Sequence, residues 1–176
     1  MAKKYNAITM TDEAHSTGVI DLDGQPDISM GTLSKAIGSL GGFVAGSREL
    51  IDYLRNKARS FIYTTALPAA ACAASIAAIE IIEQEPELRK NLRMNSRFFN
   101  SETPIIPIII GDAKKTMKIS QKLFERRLFV SGIRPPTVPE GKSRLRITVT
   151  AAHSKEDLEC LASSLRELIP ASVKPL

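Results

Sequence analysis

Two strings in this sequence hold residues able to do covalent chemistry on a small molecule. Asp12-Glu13-Ala14-His15-Ser16-Thr17-Gly18 sets a carboxylate and an imidazole just after a short strand-like run and just before a sharp glycine turn. Open α/β sheets present their ligand contacts at the carboxyl ends of strands, where Asp12 falls. The same acid can instead cap the turn that follows it. Thr32-Leu33-Ser34-Lys35-Ala36-Ile37-Gly38 sets a lysine between a β-prone run and the glycines Gly38, Gly41 and Gly42. A lysine desolvated in such a place becomes a nucleophile towards a carbonyl, and an ordinary solvated charge is the competing reading. Taken together the strings offer an acid able to pair a pyridinium nitrogen and an amine able to form a Schiff base. These are the two protein groups that pyridoxal phosphate chemistry most needs.

A rival reading attaches to the letters Asp12-Glu13-Ala14-His15, which also occur in nucleic-acid-stimulated ATPases as a strand-end acid that holds Mg²⁺. That chemistry requires a Gly-x-x-x-x-Gly-Lys-Ser/Thr loop to cradle phosphates. The sequence contains none, and Ser34-Lys35 has the wrong order and the wrong glycine spacing.

The elements that must position these residues alternate between strand and helix. Strands are expected at 7–11, ending on Asp12, at 27–31 and at 42–45. Ser47 is a helix N-cap for 48–58. Phe61-Ile62-Tyr63-Thr64 is β-prone. Pro68 opens an alanine-rich helix towards Glu85, since its missing N–H has no partner in a first turn. Pro86 interrupts it, and a basic helix follows to about Phe99. The proline-containing run 104–110 suits a strand at a sheet edge. Asp112 caps a helix to about Arg127, and 128–133 is a strand. Residues 144–150 alternate strictly, with Leu145, Ile147 and Val149 on one face and Arg144, Arg146 and Thr148 on the other. Ser154-Lys155-Glu156-Asp157 is a capping box with Asp in the usual Glu place, ahead of a helix whose apolar face is Leu158, Leu161, Ala162, Leu165 and Leu168. The alternation implies an α/β architecture. A domain boundary is expected within 98–103.

Composition agrees with a globular protein. Of 176 residues 43% are hydrophobic and 24% charged, which excludes disordered, collagen-like and coiled-coil classes. The net charge of +5 favours anionic ligands but is too small to argue for nucleic acid. Cys72 and Cys160 give neither a metal-binding spacing nor a disulfide framework, and they are expected as two buried or half-buried thiols in a reducing cytoplasm. The stretch 67–79 is interrupted by Pro68 and Ser75 and is too short to span a bilayer. Residues 1–5 lead into an alternating run, not an apolar core. The expectation is a cytoplasmic protein without membrane or nucleic-acid partners and without a metal.

Five strings together resemble the α-oxoamine synthases, pyridoxal-phosphate enzymes that join an amino acid to an acyl thioester. They are Asp12-Glu13-Ala14-His15-Ser16-Thr17-Gly18-Val19, Gly31-Thr32-Leu33-Ser34-Lys35-Ala36, Tyr63-Thr64-Thr65-Ala66-Leu67-Pro68, Ile133-Arg134-Pro135-Pro136-Thr137-Val138-Pro139 and Arg144-Leu145-Arg146-Ile147-Thr148-Val149-Thr150-Ala151-Ala152-His153. The run Arg134-Pro135-Pro136-Thr137-Val138-Pro139 is most similar to the members that use L-alanine to make 8-amino-7-oxononanoate in biotin biosynthesis.

The resemblance implies an α/β fold of type I among pyridoxal-phosphate enzymes. It implies the end of a large cofactor-binding domain in residues 1–67, linking helices in 68–103 and a small α/β domain in 104–176. It further implies that Lys35 carries the cofactor and moves a proton, that Asp12 pairs the ring nitrogen, and that His15 hydrogen-bonds the ring's phenolic oxygen. Thr32 would hold the phosphate, and Thr64 and Thr65 would reach the phosphate of a neighbouring subunit in a homodimer. Arg146 would bind the amino-acid carboxylate, with Arg134 as a second candidate. Guanidinium suits that task because its two-pronged fit to carboxylate cannot be copied by lysine. The acyl donor would be pimeloyl-CoA or a carrier-bound pimeloyl group. The alternatives are a relative using glycine or serine, and a non-catalytic half-subunit that needs a partner chain. Only the second half of the family's length is matched, so a fragment or truncated product of a longer synthase is expected. The links at 20–26 and 93–101 are short against the family pattern.

Overall fold

The computed structural model describes residues 1–20 and 24–169. Residues 21–23 of the short link at 20–26 lie outside the described residues. The chain forms two compact units, Met1–Pro86 and Glu87–Leu176. This cut differs from the sequence partition at 67 and 103.

The first unit is built on a three-stranded sheet with strand order β1-β2-β3, comprising β1 (Met10–Asp12), β2 (Ile28–Thr32) and β3 (Gly42–Gly46). β1 and β2 are parallel, with Asp12 opposite Met30, whereas β3 returns antiparallel, with Gly42 opposite Thr32. Asp27 braces the entry to the parallel pair. Its Oδ2 accepts from the Thr9 backbone N–H and from Thr9 Oγ1, both at 2.7 Å. Those bonds, backbone first, hold the Asp27 carboxyl below its ordinary pKa.

Ser47 caps α1 (Arg48–Lys57) by accepting from Leu50 N–H at 3.3 Å. The β-prone run 61–64 is not a strand. Residues Arg59–Ile62 form a single helical turn, α2, closed by Ile62 N–H to Ala58 O at 2.9 Å and followed by Tyr63 N–H to Arg59 O at 3.0 Å. β-propensity reports fit to a neighbouring strand, and without one the local i→i−4 bonds prevail. Helix α3 (Ala69–Gln84) follows Pro68 as expected. Its apolar residues are not confined to one stripe, and Ile76, Ile79 and Ile81 are exposed. Cys72 on this helix is exposed as well, contrary to expectation. The face that this helix turns inward is Ala71, Ser75, Ala78 and Ile82, and Cys72 lies about a quarter-turn off it.

Helix α3 ends at Gln84 and α4 (Pro86–Phe98) starts at Pro86, so the proline breaks the helical run where expected and opens the helix that leads into the second unit. Its sheet has the order β4-β6-β5, comprising β4 (Ile105–Gly111), β5 (Ser131–Ile133) and β6 (Ser143–Thr148), with both pairings antiparallel. β4 is an edge strand, the position that suits Pro107 within it. β5 is shorter than the expected 128–133. The alternation along β6 is realised: Leu145 and Ile147 are buried while Arg146 and Thr148 are exposed. The buried face packs with Ile106 and Ile108 of β4 against α5 (Ala113–Glu125) and α6 (Lys155–Leu168), through Ile119, Leu123, Leu158, Leu161 and Leu165. The other face of the sheet carries Pro107, Ile109, Arg144 and Arg146. Cys160 lies on α6 but is exposed, off the stripe that enters the core.

Both predicted caps form. Asp112 accepts from Lys115 N–H at 2.6 Å. Ser154 and Asp157 make the reciprocal capping box, since Asp157 Oδ2 accepts from Ser154 N–H at 2.9 Å and Ser154 Oγ accepts from Asp157 N–H at 3.2 Å. The short Asp side chain therefore does the work usual for Glu. Asn95 ties α4 to the end of this unit by donating to Thr150 O and His153 O at 2.9 and 3.0 Å.

Two outcomes follow for stability. Leu145 is fully buried, so Leu145→Ala is expected to cost about 2–5 kcal/mol in urea unfolding, through lost transfer energy and the cavity left behind. The Asp157 carboxyl sits below its ordinary pKa of 3.8, chiefly through the Ser154 backbone N–H. A folded-state pKa below the unfolded one stabilises fully above the unfolded value and ceases to do so as pH falls through the folded value. Asp157→Asn is therefore expected to lower the thermal midpoint at pH 7, with the gap to wild type closing as the pH is taken below 3.8.

Candidate active site

Parallel pairing of β1 and β2 brings their carboxyl ends to one edge of the first sheet. Asp12 is the last residue of β1 and Thr32 the last of β2. Glu13 N–H donates to Met30 O at 2.6 Å, which carries the ladder one step past Asp12. His15 follows in the turn after β1, and Lys35 follows three residues after β2. Asp12, His15 and Lys35 are exposed and Thr32 is half-buried. The acid, imidazole, hydroxyl and amine named from the sequence therefore share one sheet edge.

The turn after β1 is held by its own side chains. Asp12 Oδ1 accepts from Ala14 N–H at 2.9 Å, so the acid does cap the next turn. Its Oδ2 has no hydrogen-bond partner among the described residues. The two readings of Asp12 are thus compatible, one oxygen serving the turn and the other open to a ligand. Thr17 Oγ1 donates to Glu13 O at 2.7 Å and closes the turn. Gly18, at φ 75°, follows it in the left-handed region that favours glycine. Gly31 is buried in β2. A Cβ there would come within 2.9 Å of Thr17 Oγ1 and closer still to the Phe43 ring, so the turn, β2 and β3 close around a residue without a side chain.

The loop from β2 to β3 positions Lys35. Leu33 N–H donates to Gly41 O at 2.9 Å and Ser39 N–H to Leu33 O at 2.8 Å, closing the loop at its base. Ile37 is buried and anchors it. Ser39 Oγ donates to Ala71 O at 2.9 Å, fastening the loop to the first turn of α3. The amine of Lys35 is left outside this framework. Its exposure means that the desolvation invoked from sequence is not supplied by the described residues. Ser34 is a residue that sequence reading missed. Its hydroxyl lies 2.8 Å from Thr32 Oγ1, so two hydroxyls stand together at the strand end. The signal was the Thr-x-Ser spacing across the end of a strand, where the chain turns back on itself.

Thr64 and Thr65 are exposed in the irregular segment between α2 and α3. Leu67 of that segment packs at Gly41, where a Cβ would meet Leu67 Cδ1 at 2.8 Å. Arg134 and Arg146 belong to the second unit. Arg146 is exposed on the central strand β6, opposite Pro107 on one side and Ser131 on the other. Arg134 is exposed just after β5, and its carbonyl accepts from Thr137 N–H at 3.1 Å. Among the described residues no cluster of three or more His, Cys, Asp or Glu is disposed to hold a metal ion, and no helix is long and apolar enough to cross a membrane.

The donor set at the edge of the first sheet fits pyridoxal phosphate. It offers a carboxylate with one open oxygen, an imidazole, two adjacent hydroxyls and an amine, the kinds of group that such a cofactor takes.

Comparison with known proteins bears on this arrangement. The chain is 45% identical over 191 aligned residues to an 8-amino-7-oxononanoate synthase of Thermoanaerobacter pseudethanolicus, covering 96% of this chain and 48% of that protein. It superposes on a solved 8-amino-7-oxononanoate synthase from Francisella tularensis with TM-score 0.76 and 28% identity, covering 90% of this chain and 54% of the other. It also superposes on a serine palmitoyltransferase solved with pyridoxal phosphate, with TM-score 0.86 and 27% identity, covering 95% of this chain and 49% of that one. The chain thus spans about half the length of the curated relatives it matches. The α/β fold is the type I fold of those structures. Residues 1–165 match the model of aminotransferase class I and II, and with the strand-end acid and lysine in place the chain belongs to that family.

Proposed function

We propose that this chain carries the lysine and acid half of an 8-amino-7-oxononanoate synthase. That enzyme is a pyridoxal-phosphate-dependent acyltransferase that condenses L-alanine with pimeloyl-CoA or pimeloyl-carrier protein, with loss of CO₂ and release of the thiol, in cytoplasmic biotin biosynthesis. The observation that carries the reading is the shared sheet edge of Asp12, His15, Thr32 and Lys35, set there by one parallel strand pair. Identity of 41–46% to 8-amino-7-oxononanoate synthases supports the choice of substrates.

When bound, pyridoxal phosphate supplies the electron sink that stabilises a carbanion at the amino acid's α-carbon. The chain's own residues do the rest. Asp12 keeps a proton on the ring nitrogen through its open Oδ2. His15 donates to the phenolic oxygen, and Thr32 with Ser34 binds phosphate oxygens. Lys35 Nζ holds the cofactor and then moves the α-proton of alanine, a task suited to an amine. Arg146 grips the alanine carboxylate with its two-pronged donor set, and Arg134 assists it. Thr64 and Thr65, exposed on their segment, reach the phosphate of a second subunit in a homodimer. Exposure of Ile76, Ile79 and Ile81 on α3 favours a second reading, in which the chain is a half-subunit completed by a partner carrying the remaining length.

Lys35 is tested directly by adding pyridoxal phosphate, reducing with borohydride and mapping the pyridoxyl label by mass spectrometry. The label is expected on Lys35 and is expected to vanish in Lys35→Ala. A label scattered over surface lysines would sink the assignment. In the cofactor-loaded protein, L-alanine is expected to perturb the visible absorbance at lower concentration than glycine or serine. Preference for glycine or serine would move the chain to another branch of the α-oxoamine synthases.

A further inference from the structure

The open face of the second sheet carries two guanidinium groups that nothing on that sheet neutralises. Arg144 and Arg146 stand two residues apart on β6, hence on the same face and about 7 Å apart along the strand. The cross-strand neighbours of Arg146 are Pro107 and Ser131, and those of Arg144 are Ile109 and Ile133. None is acidic, although an opposite charge directly across is the stabilising arrangement on a sheet face. Neither arginine forms an ion pair among the described residues.

Arg144 is also the better held of the two. Its Nε donates to Lys142 O at 3.0 Å, which restrains the side chain. The bond uses one of five N–H donors and leaves both terminal nitrogens for an oxyanion. Ile109, directly across on β4, is 48% exposed and puts apolar surface beside that fork. A cation next to an apolar strip suits a ligand in which methylene groups lead to an anionic end. The small carboxylate of an amino acid engages one guanidinium and leaves the other uncompensated.

We propose that Arg144 is a second substrate-binding residue, taking an anionic group of the acyl donor while Arg146 takes the amino-acid carboxylate. The proposal rests on the acyltransferase reading above. The shared chemistry is an oxyanion on the donor, and two sources offer one: the distal carboxylate of the pimeloyl chain and a phosphate of its carrier.

The test is a titration of the full chain, labelled with ¹⁵N-arginine, with pimelate, with coenzyme A and with L-alanine, following the Nε–H signals of Arg144 and Arg146. The Arg144 signal is expected to move with pimelate if the carboxylate is the source, or with coenzyme A if the phosphate is. Arg144→Gln is expected to weaken that titration about tenfold, which is the loss of roughly one charge-assisted hydrogen bond, and to leave the L-alanine titration unchanged. An Arg144 signal in the wild-type chain that ignores both donor probes overturns the proposal. So does an Arg144→Gln variant that binds L-alanine correspondingly less well. The wild-type signals need no substitution and so do not depend on how the variant folds. Labelling at Lys35 separates the two readings. A labelled Lys35 with a silent Arg144 rejects this proposal alone, and a responsive Arg144 with an unlabelled Lys35 rejects the catalytic reading alone.

Discussion

The candidate site depends on the parallel pairing of β1 with β2. A parallel pair sends both carboxyl ends to the same edge of the sheet, so whatever follows each strand is brought together there. Had these strands been antiparallel, Asp12 and Lys35 would stand at opposite edges. The pairing is secured at its entry by Asp27, which takes two hydrogen bonds from Thr9, and at its exit by Glu13 N–H on Met30 O. β3 then runs antiparallel and turns the lysine loop back on itself, so that its base closes through Leu33, Ser39 and Gly41.

The second unit follows a different rule. Its sheet is antiparallel and covered by helices on one face, and the period of two along β6 decides which side chains enter the core. Leu145 and Ile147 go inward against α5 and α6, which obliges Arg144 and Arg146 to go outward. The guanidiniums are thus presented by the same alternation that builds the core. A change of register by one residue would turn both charges into the core, where an unpaired cation is costly.

Much of this was legible in the residues themselves. Caps at Ser47, Asp112 and Ser154, the alternation of β6 and the helix opening at Pro68 all follow from local chemistry, and local chemistry is what a sequence states directly. At 61–64 β-propensity misleads because it describes fit to a neighbouring strand, and none of the described strands pairs there. Cys72 and Cys160, expected as buried or half-buried from their helical settings, are exposed because each lies off the face that its helix turns inward. The Thr-x-Ser spacing hints at Ser34, but its hydroxyl comes beside that of Thr32 only once the chain turns after β2.

The sequence by itself determined the chemical kinds present: an acid and a lysine at strand ends, arginines on the polar side of an alternating strand, and caps at the helix starts. Those are properties of neighbours in the chain. Only the tertiary structure decided that β1 and β2 run parallel, that one oxygen of Asp12 is spent on its own turn while the other stays open, and that Arg144 and Arg146 face no acid across the sheet. Each of these depends on partners at least a turn or a strand away, and strand direction and register are settled by packing over the whole sheet.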